Sequence, residues 1–341
     1  MNDTILSFGL APQDFQIQRI STGHINATYK LVGHPGYILQ RINKNVFLNP
    51  EIIAANIRTA ADYLKEKCPD YLFLSPERTT AGKEMSYDAM GYPWRLFRYI
   101  ENTFTLDKVN TVHQAYGAAS GFASLTRNLE GIEVNRFNPS IDHFHDLNWR
   151  YDQFQEAIKT TTPERLGEAS DVLESCRAQA SLVMKYTDLI SRGILRHRIT
   201  HNDTKINNIL VDTSTHDAVC VIDLDTLMPG YFIYDVGDMI RTFVPPVNEE
   251  AVDTNEITFR KPIYDAVVDG YLSHMGDRLT DEEKKLFPFA GTMMTYIMAL
   301  RFITDFLKGD VYYQVTYSGQ NLVRAKNQLK LLEVLIGSVG V

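Results

Sequence analysis

The run His201-Asn202-Asp203-Thr204-Lys205-Ile206-Asn207-Asn208 sets a carboxylate and a carboxamide five residues apart, and the apolar residues Ile209, Leu210 and Val211 follow at once. A second apolar run, residues 219–222, ends in Asp223. These residue types suit phosphoryl transfer. One carboxylate, Asp203, is expected to take a proton from an attacking hydroxyl or to orient it. The carboxamide of Asn208 and the carboxylate of Asp223 are expected to hold Mg²⁺ against the phosphates of a nucleotide. Taken singly, Asp203 reads equally well as a turn cap and Asn208 as an Asx-turn residue. The second strand ending in Asp makes the chemical reading the stronger one. Lys205, two residues past the base, would neutralise charge developing on the transferred group, or else is a solvated loop cation. Asp225 either assists the metal or braces its loop, and bracing is the expectation.

The elements that must position these groups follow from periodicity. Residues 15–21, 26–32 and 36–42 are short β-rich runs separated by TGHI and GHPG, as hairpin turns would be. Residues 50–67 carry Ile53, Ile57, Ala60, Ala61 and Leu64 at three- and four-residue spacing, which predicts a helix. YLFLS (71–75) and residues 92–100 read as further strands, and residues 101–106 as a linker. Phe97 to Glu101 would form the hinge where backbone groups meet a nucleotide base, with Phe97 and Tyr99 beside it. Beyond the linker the pattern predicts helices over 110–127, 149–159 and 164–192, a β-rich island over 199–230, and helices to the end. The apolar segment 287–300 is too short to span a bilayer and predicts a buried helix. The two units expected are residues 1–102 and residues 103–341.

Composition bounds the rest. Across 341 residues, 44% are hydrophobic and 22% charged, an ordinary globular balance. With Lys+Arg at 34 and Asp+Glu at 42 the formal net charge is −8, which argues against nucleic-acid binding and against an anionic membrane surface. Three scattered cysteines, Cys68, Cys176 and Cys220, form no CxxC, and the opening MNDTILSFGLAPQDF shows no secretory pattern. The expected compartment is the cytoplasm. His143 and His145 in DHFHD lack a third distant ligand and are not read as a zinc site. The absence of Walker A, HExxH and GxSxG motifs removes P-loop enzymes, zincins and α/β-hydrolases.

HNDTKINNILVD and VIDLDTLMPG resemble the aminoglycoside phosphotransferase and choline kinase superfamily, whose members use H-[GN]-D-x-x-x-x-N and an [IV]-D-x-[DE] strand. More narrowly, GHINATY, YILQ, WRLFRYIE, HFHD, DVGDMIR and RFITDFLKGDVYY are similar in order and spacing to the N-acetylhexosamine 1-kinases. The resemblance implies an α+β, two-lobed protein-kinase-like fold, with a small β-rich N-terminal lobe and a larger, mostly helical C-terminal lobe. It implies transfer from ATP, with Mg²⁺, to the anomeric hydroxyl of an N-acetylhexosamine, and no protein partner. Asp203 would be the catalytic base, Asn208 and Asp223 the metal ligands, and His24, Arg301 and Tyr312 contacts to the sugar. Their plain alternatives are a hairpin residue for His24, a helix C-terminal cation for Arg301 and core packing for Tyr312. The chain departs from the kinase pattern in two places. Only Gly23 marks the phosphate-covering loop, and Gln40 stands where a VAIK lysine would be. Lys30 and Arg41 are the nearby cations, and strand parity turns Arg41 to the opposite face from Gln40. A same-fold kinase of an aminoglycoside, choline-type or homoserine-type acceptor is the main alternative. A nucleotide-binding pseudokinase is another, which the presence of Asp203, Asn208 and Asp223 together argues against.

Overall fold

The alternating runs of the first hundred residues become strands of one antiparallel sheet: β1 (Gln16–Ile20), β2 (Ala27–Val32), β3 (Tyr37–Arg41), β4 (Ser86–Tyr87) and β5 (Pro93–Arg98), in the order β1-β2-β3-β5-β4. The computed structural model describes residues 1–20 and 26–340, so His24 lies outside the described residues. Strand parity divides the sheet. Leu31, Tyr37, Leu39, Trp94 and Leu96 turn to one face and pack with Ile5 of the short helix α1 (Asn2–Ser7) and with Phe8. Thr28, Gln40 and Arg95 stand in register on the other face, Thr28 opposite Gln40 and Gln40 opposite Arg95.

The predicted helix is α2 (Pro50–Lys67), opened by Pro50 at its first turn, with Ile53, Ile57, Ala60 and Leu64 buried. It packs on the large core of the C-terminal lobe, not on the small sheet cluster. The Asn56 side chain donates to the Asn138 and Leu227 carbonyls at 2.8 and 3.0 Å, tying α2 to the far side of the cleft.

Two sequence expectations fail here. YLFLS forms no strand. Tyr71 and Phe73 pack on the helical core, Pro76 has no N–H to offer a ladder, and pairing to β5 shrinks to the single bridge Glu77–Leu96. The supposed linker contains β6 (Thr103–Thr105), whose Thr-Phe-Thr composition favours a strand. It pairs in a second sheet, β6-β8-β9, with β8 (Ile209–Asp212) and β9 (Ala218–Val221).

The rest is helical: α3 (Val112–Asn128), α4 (Leu147–Thr160), α5 (Pro163–Glu168), α6 (Ser170–Ala178), α7 (Ser181–Ser191), then, after the strand pair β7 (Arg198–Thr200) and β10 (Met228–Gly230), α8 (Phe232–Phe243), α9 (Lys261–Met275), α10 (Asp281–Lys284), α11 (Phe287–Leu307) and α12 (Gln320–Val339). The single helix expected over 164–192 is thus three. On one continuous helix the stripe Val172, Leu173, Cys176 and the stripe Leu182, Tyr186, Leu189 would sit roughly a third of a turn apart. Bending at Gln179–Ala180 lets both face the core. The segment expected as a buried helix is α11, seven residues longer than predicted and buried along nearly its whole length. It lies against α8 and α12. Gly237 of α8 is required by that packing, since a Cβ there would come within 2.4 Å of the Ala290 carbonyl oxygen. Among the described residues, no helix is long and apolar enough to cross a membrane.

Candidate active site in the interlobe cleft

The loop between β7 and β8 carries Asp203 and is fixed from behind. The buried Asp235 of α8 accepts from the backbone N–H groups of His201 and Asn202 at 3.1 and 2.7 Å, and Thr204 Oγ1 donates to the Asp235 carbonyl at 2.7 Å. Asn202 adopts a left-handed φ of 65°, affordable for an asparagine. Its amide donates to the carbonyls of Thr200 and Thr226 at 3.0 and 2.9 Å. His201 Nδ1 accepts from the Asp203 N–H at 3.2 Å, so the ring donates through Nε2 to the Ile222 carbonyl at 2.9 Å. That imidazole is a strut between the two strands, and burial lowers its pKa, keeping it neutral.

Held this way, the Asp203 carboxylate meets Lys205 Nζ at 3.3 Å and Asn208 Nδ2 at 3.1 Å. Burial alone would raise its pKa, but the charge of Lys205 and the hydrogen bonds from Lys205 and the Asn208 amide outweigh burial, and the carboxyl stays below the ordinary value. Reciprocally, Asp203 is the main cause that raises Lys205. Asp203 is therefore ionised at neutral pH and able to accept a hydrogen bond from a hydroxyl.

Asp223 ends β9 in a left-handed turn with φ 58°. Enclosure by the cleft walls, then the carboxylates of Asp225 and Asp203, push it up to about 7. Its side chain nonetheless opens to the cleft, so repulsion among like charges is the part of that shift that solvent leaves standing. The Asn208 amide donates to the Asp203 carbonyl at 2.8 Å as well as to its carboxylate, which leaves the carboxamide oxygen without a hydrogen bond among the described residues. A free carboxamide oxygen beside mutually repelling carboxylates is a donor set that suits a hard divalent cation. Asn208 and Asp223 are the residues that would hold it. His143, by contrast, pairs with Asp146 at 3.1 Å and stacks on Trp149, and no group of three His, Cys, Asp or Glu side chains placed to hold a metal ion forms among the described residues.

Above this floor the N-terminal sheet contributes what the sequence left unassigned. Arg95, only 2% exposed, donates through Nε and Nη2 to Gln40 Oε1 at 3.0 and 2.8 Å and pairs through Nη1 with Asp225. Asn26 Nδ2 donates to the other Asp225 oxygen at 2.7 Å. Asp225 is thus a brace, joined to the N-terminal sheet. Between sheet and loop lies a cleft of about 810 Å³, lined by Lys30, Phe97 and Tyr99 on one side and Asp203, Lys205, Asn208 and Asp223 on the other. Its size suits a nucleotide and part of an acceptor.

Arg301 and Tyr312 do not line that cleft. They form a second cluster one step beyond the catalytic loop. Asp305 accepts from the backbone N–H groups of Val311, Tyr312 and Tyr313 at 3.0, 2.8 and 3.0 Å, and this brings the Tyr312 ring within 5.7 Å of the Arg301 guanidinium. Arg301 also lies 5.1 Å from the Phe144 ring. His145, next in the chain, reaches the Asn202 carbonyl at 2.7 Å, which links the cluster to the residue before Asp203. Neither plain alternative holds: α11 continues to Leu307, so Arg301 is no helix-end cation, and Tyr312 is 56% exposed, so it is no core residue.

Asp235, Arg95 and Asn26 escaped the sequence reading, as did Arg150, whose guanidinium donates to the Phe144 carbonyl beside Arg301; His145 was weighed only as a metal ligand. DVGD carried a signal for Asp235 through its place in the shared motifs. WRLFRYIE carried Arg95 in the same way but not its role, which depends on which strand lies beside Gln40.

The sequence profile of the phosphotransferase enzyme family matches residues 16–271. Among solved structures, the chain is similar to a microcompartment-associated aminopropanol kinase at 17% identity and a TM-score of 0.65, covering 99% of this chain and 97% of that one. It is similar to an amicoumacin kinase at 14% identity and a TM-score of 0.62, covering 97% and 91%. It is also similar to a choline/ethanolamine kinase family protein from Mesorhizobium loti at 15% identity and a TM-score of 0.57, covering 99% and 95%. These likenesses establish the kinase-like α+β fold, and the profile, which spans most of the chain, establishes the rest: the chain belongs to the phosphotransferase enzyme family and is a small-molecule phosphotransferase.

Proposed function

We propose that the chain transfers the γ-phosphoryl group of ATP, with Mg²⁺, to the anomeric hydroxyl of an N-acetylhexosamine. The base sits against Phe97 and Tyr99, the phosphates run toward Asn208 and Asp223, and the sugar lies beside Asp203, with Arg301 and Tyr312 as its contacts; the resemblance adds His24, which lies outside the described residues. The lobes divide near residue 102, and the catalytic step takes place between them. Bound Mg²⁺ supplies charge neutralisation to the phosphates. Asp203 does the rest of the positioning: it accepts a hydrogen bond from the sugar hydroxyl and aims the oxygen at the phosphorus. A carboxylate this well stabilised is a weak base, which suits a loose transition state in which the hydroxyl loses its proton late. Lys205, held at Asp203, faces the charge that builds on the moving phosphoryl group.

One observation carries the choice of acceptor. Arg301 and Arg150 lie together beside Tyr312 and Phe144, and neither guanidinium has an ion-pair partner among the described residues. Burial, and next the charge of Arg301, bring Arg150 down to about 9. An acceptor that arrives as an ammonium ion would meet two guanidinium cations that have no ion-pair partner among the described residues. A neutral acceptor bearing hydroxyl and acetamido oxygens would meet donors. The amine substrates named for two of the similar structures therefore suit this cluster of guanidinium groups poorly. The free thiols of Cys68, Cys176 and Cys220 support a reducing, cytoplasmic setting.

The test is ADP release across a panel of acceptors. N-Acetylglucosamine or N-acetylgalactosamine is expected to be fastest, plain hexoses slower, and choline and aminopropanol inactive. Arg301→Ala is expected to lower kcat/KM for the sugar roughly 10–100-fold, the scale of a lost charged hydrogen bond, while leaving the KM for ATP unchanged. A faster rate with either amino alcohol would overturn the reading.

A further inference from the structure

We propose that Arg95 is the cation that binds the nucleotide phosphates in this chain, presented by Gln40 and parked on Asp225 until phosphates arrive. The inference rests on the nucleotide reading of the cleft and is independent of the acceptor.

The geometry starts from cross-strand register. Thr28, Gln40 and Arg95 occupy paired positions on three adjacent strands, so their side chains stand in a row on the cleft face. Arg95 can only donate, which turns the Gln40 oxygen toward it and leaves Nε2 to donate to Thr28 Oγ1 at 3.1 Å. The Gln40 oxygen then takes the Nε and Nη2 arms of the guanidinium together. A lysine at position 40 would place an ammonium directly against Arg95. Glutamine there is the complement of an arginine at position 95. The cation has moved one strand across the sheet, and the side chain at the usual position has become its holder.

The other cations are already committed. Arg41 faces the opposite side of the sheet, over Tyr92 at 4.6 Å. Arg98 pairs with Glu77 at the surface. Lys205 belongs to Asp203. Lys30 lies over the Tyr99 ring at 3.5 Å, at the hinge end of the cleft, where a nucleoside would sit. Arg95 alone among these touches the loop that carries Asp223, where the phosphates must lie if Asn208 and Asp223 hold their metal. Of the five N–H groups of its guanidinium, two are engaged by Gln40 and one is turned to Asp225; the second N–H of Nη2 is left for a phosphate oxygen, and the buried Nη1 would follow once phosphate takes the place of Asp225. Asp225 serves as the resident anion that makes burial of Arg95 tolerable.

A purely bracing Arg95 would affect every cleft ligand alike, so the test reads phosphate dependence. Binding of adenosine and of ADP is measured by calorimetry in EDTA, which removes any metal contribution. Wild type is expected to bind ADP at least 10-fold more tightly than adenosine. Arg95→Gln combined with Asp225→Asn, which leaves no unpaired charge, is expected to lose that preference while keeping the adenosine affinity. Adding Gln40→Lys to the pair is expected to restore part of it. Asp225→Asn alone is expected to bind ADP as tightly as wild type or more so. ADP affinity unchanged in the folded double variant, or an equal loss for adenosine, overturns the proposal. Should the double variant not fold, Arg95→Lys keeps the charge but not the fork. It is expected to lose several-fold for ADP only, and an unchanged ADP affinity there overturns the proposal equally. Loss of phosphate preference in Lys30→Met instead would move the role to Lys30. A wild type that binds neither ligand would defeat the nucleotide reading itself, an outcome separate from the others.

Discussion

Asp203→Asn is expected to lower kcat roughly 10²–10⁴-fold, the usual scale for removing a general base, with the KM values for ATP and acceptor within a few-fold of wild type. The substitution removes the negative charge and the capacity to take a proton while keeping shape. Everything that sets the loop's path acts on backbone atoms or on other side chains: Asp235 on two N–H groups, His201 between the strands, Asn202 on the neighbouring carbonyls. The variant therefore folds as wild type does, which circular dichroism and the melting temperature check. Steady-state turnover near wild type in such a folded protein would remove Asp203 from its role.

Asp223→Ala is expected to abolish most turnover and to raise the Mg²⁺ concentration needed for what remains, because the phosphate charge is then poorly neutralised. The same change is expected to leave Tm unchanged or raise it. Asp223, Asp225 and Asp203 repel one another across the cleft floor, and that repulsion is part of what pushes Asp223 up to about 7. Deleting one of three like charges relieves strain that the metal relieves in the working enzyme. Titration of activity against Mg²⁺, run beside a thermal melt, reads both effects. Wild-type Mg²⁺ dependence, or a clear drop in Tm, would mean that Asp223 serves the fold and not the metal.

The parts of the molecule legible in sequence were those set by local pattern. Helix α2 begins and ends where its apolar spacing and Pro50 place it. The catalytic loop was visible because Asp203, Asn208 and Asp223 flank two neighbouring strands, β8 and β9, whose spacing is itself the signal. The misread pieces are those whose state depends on distant partners. Residues 71–75 look like a strand but pack on the helical core, and residues 103–105 look like a linker but complete a sheet with β8. Arg95 is the sharpest case. Between Gln40 and Arg95 lie a helix and a hairpin strand, and only the pairing of β3 with β5 brings the two together. Arg150 reads in sequence as one helix cation among many. Its proximity to Arg301, at the far end of the chain, is a property of packing alone.

The position of the new phosphate tests the account most directly. Wild-type protein incubated with ATP, Mg²⁺ and N-acetylglucosamine or N-acetylgalactosamine is expected to give a product whose phosphorus resonance couples to the anomeric proton. A phosphorus coupled to the protons of the 6-methylene group, or phosphate incorporated only into an amino alcohol, would contradict it.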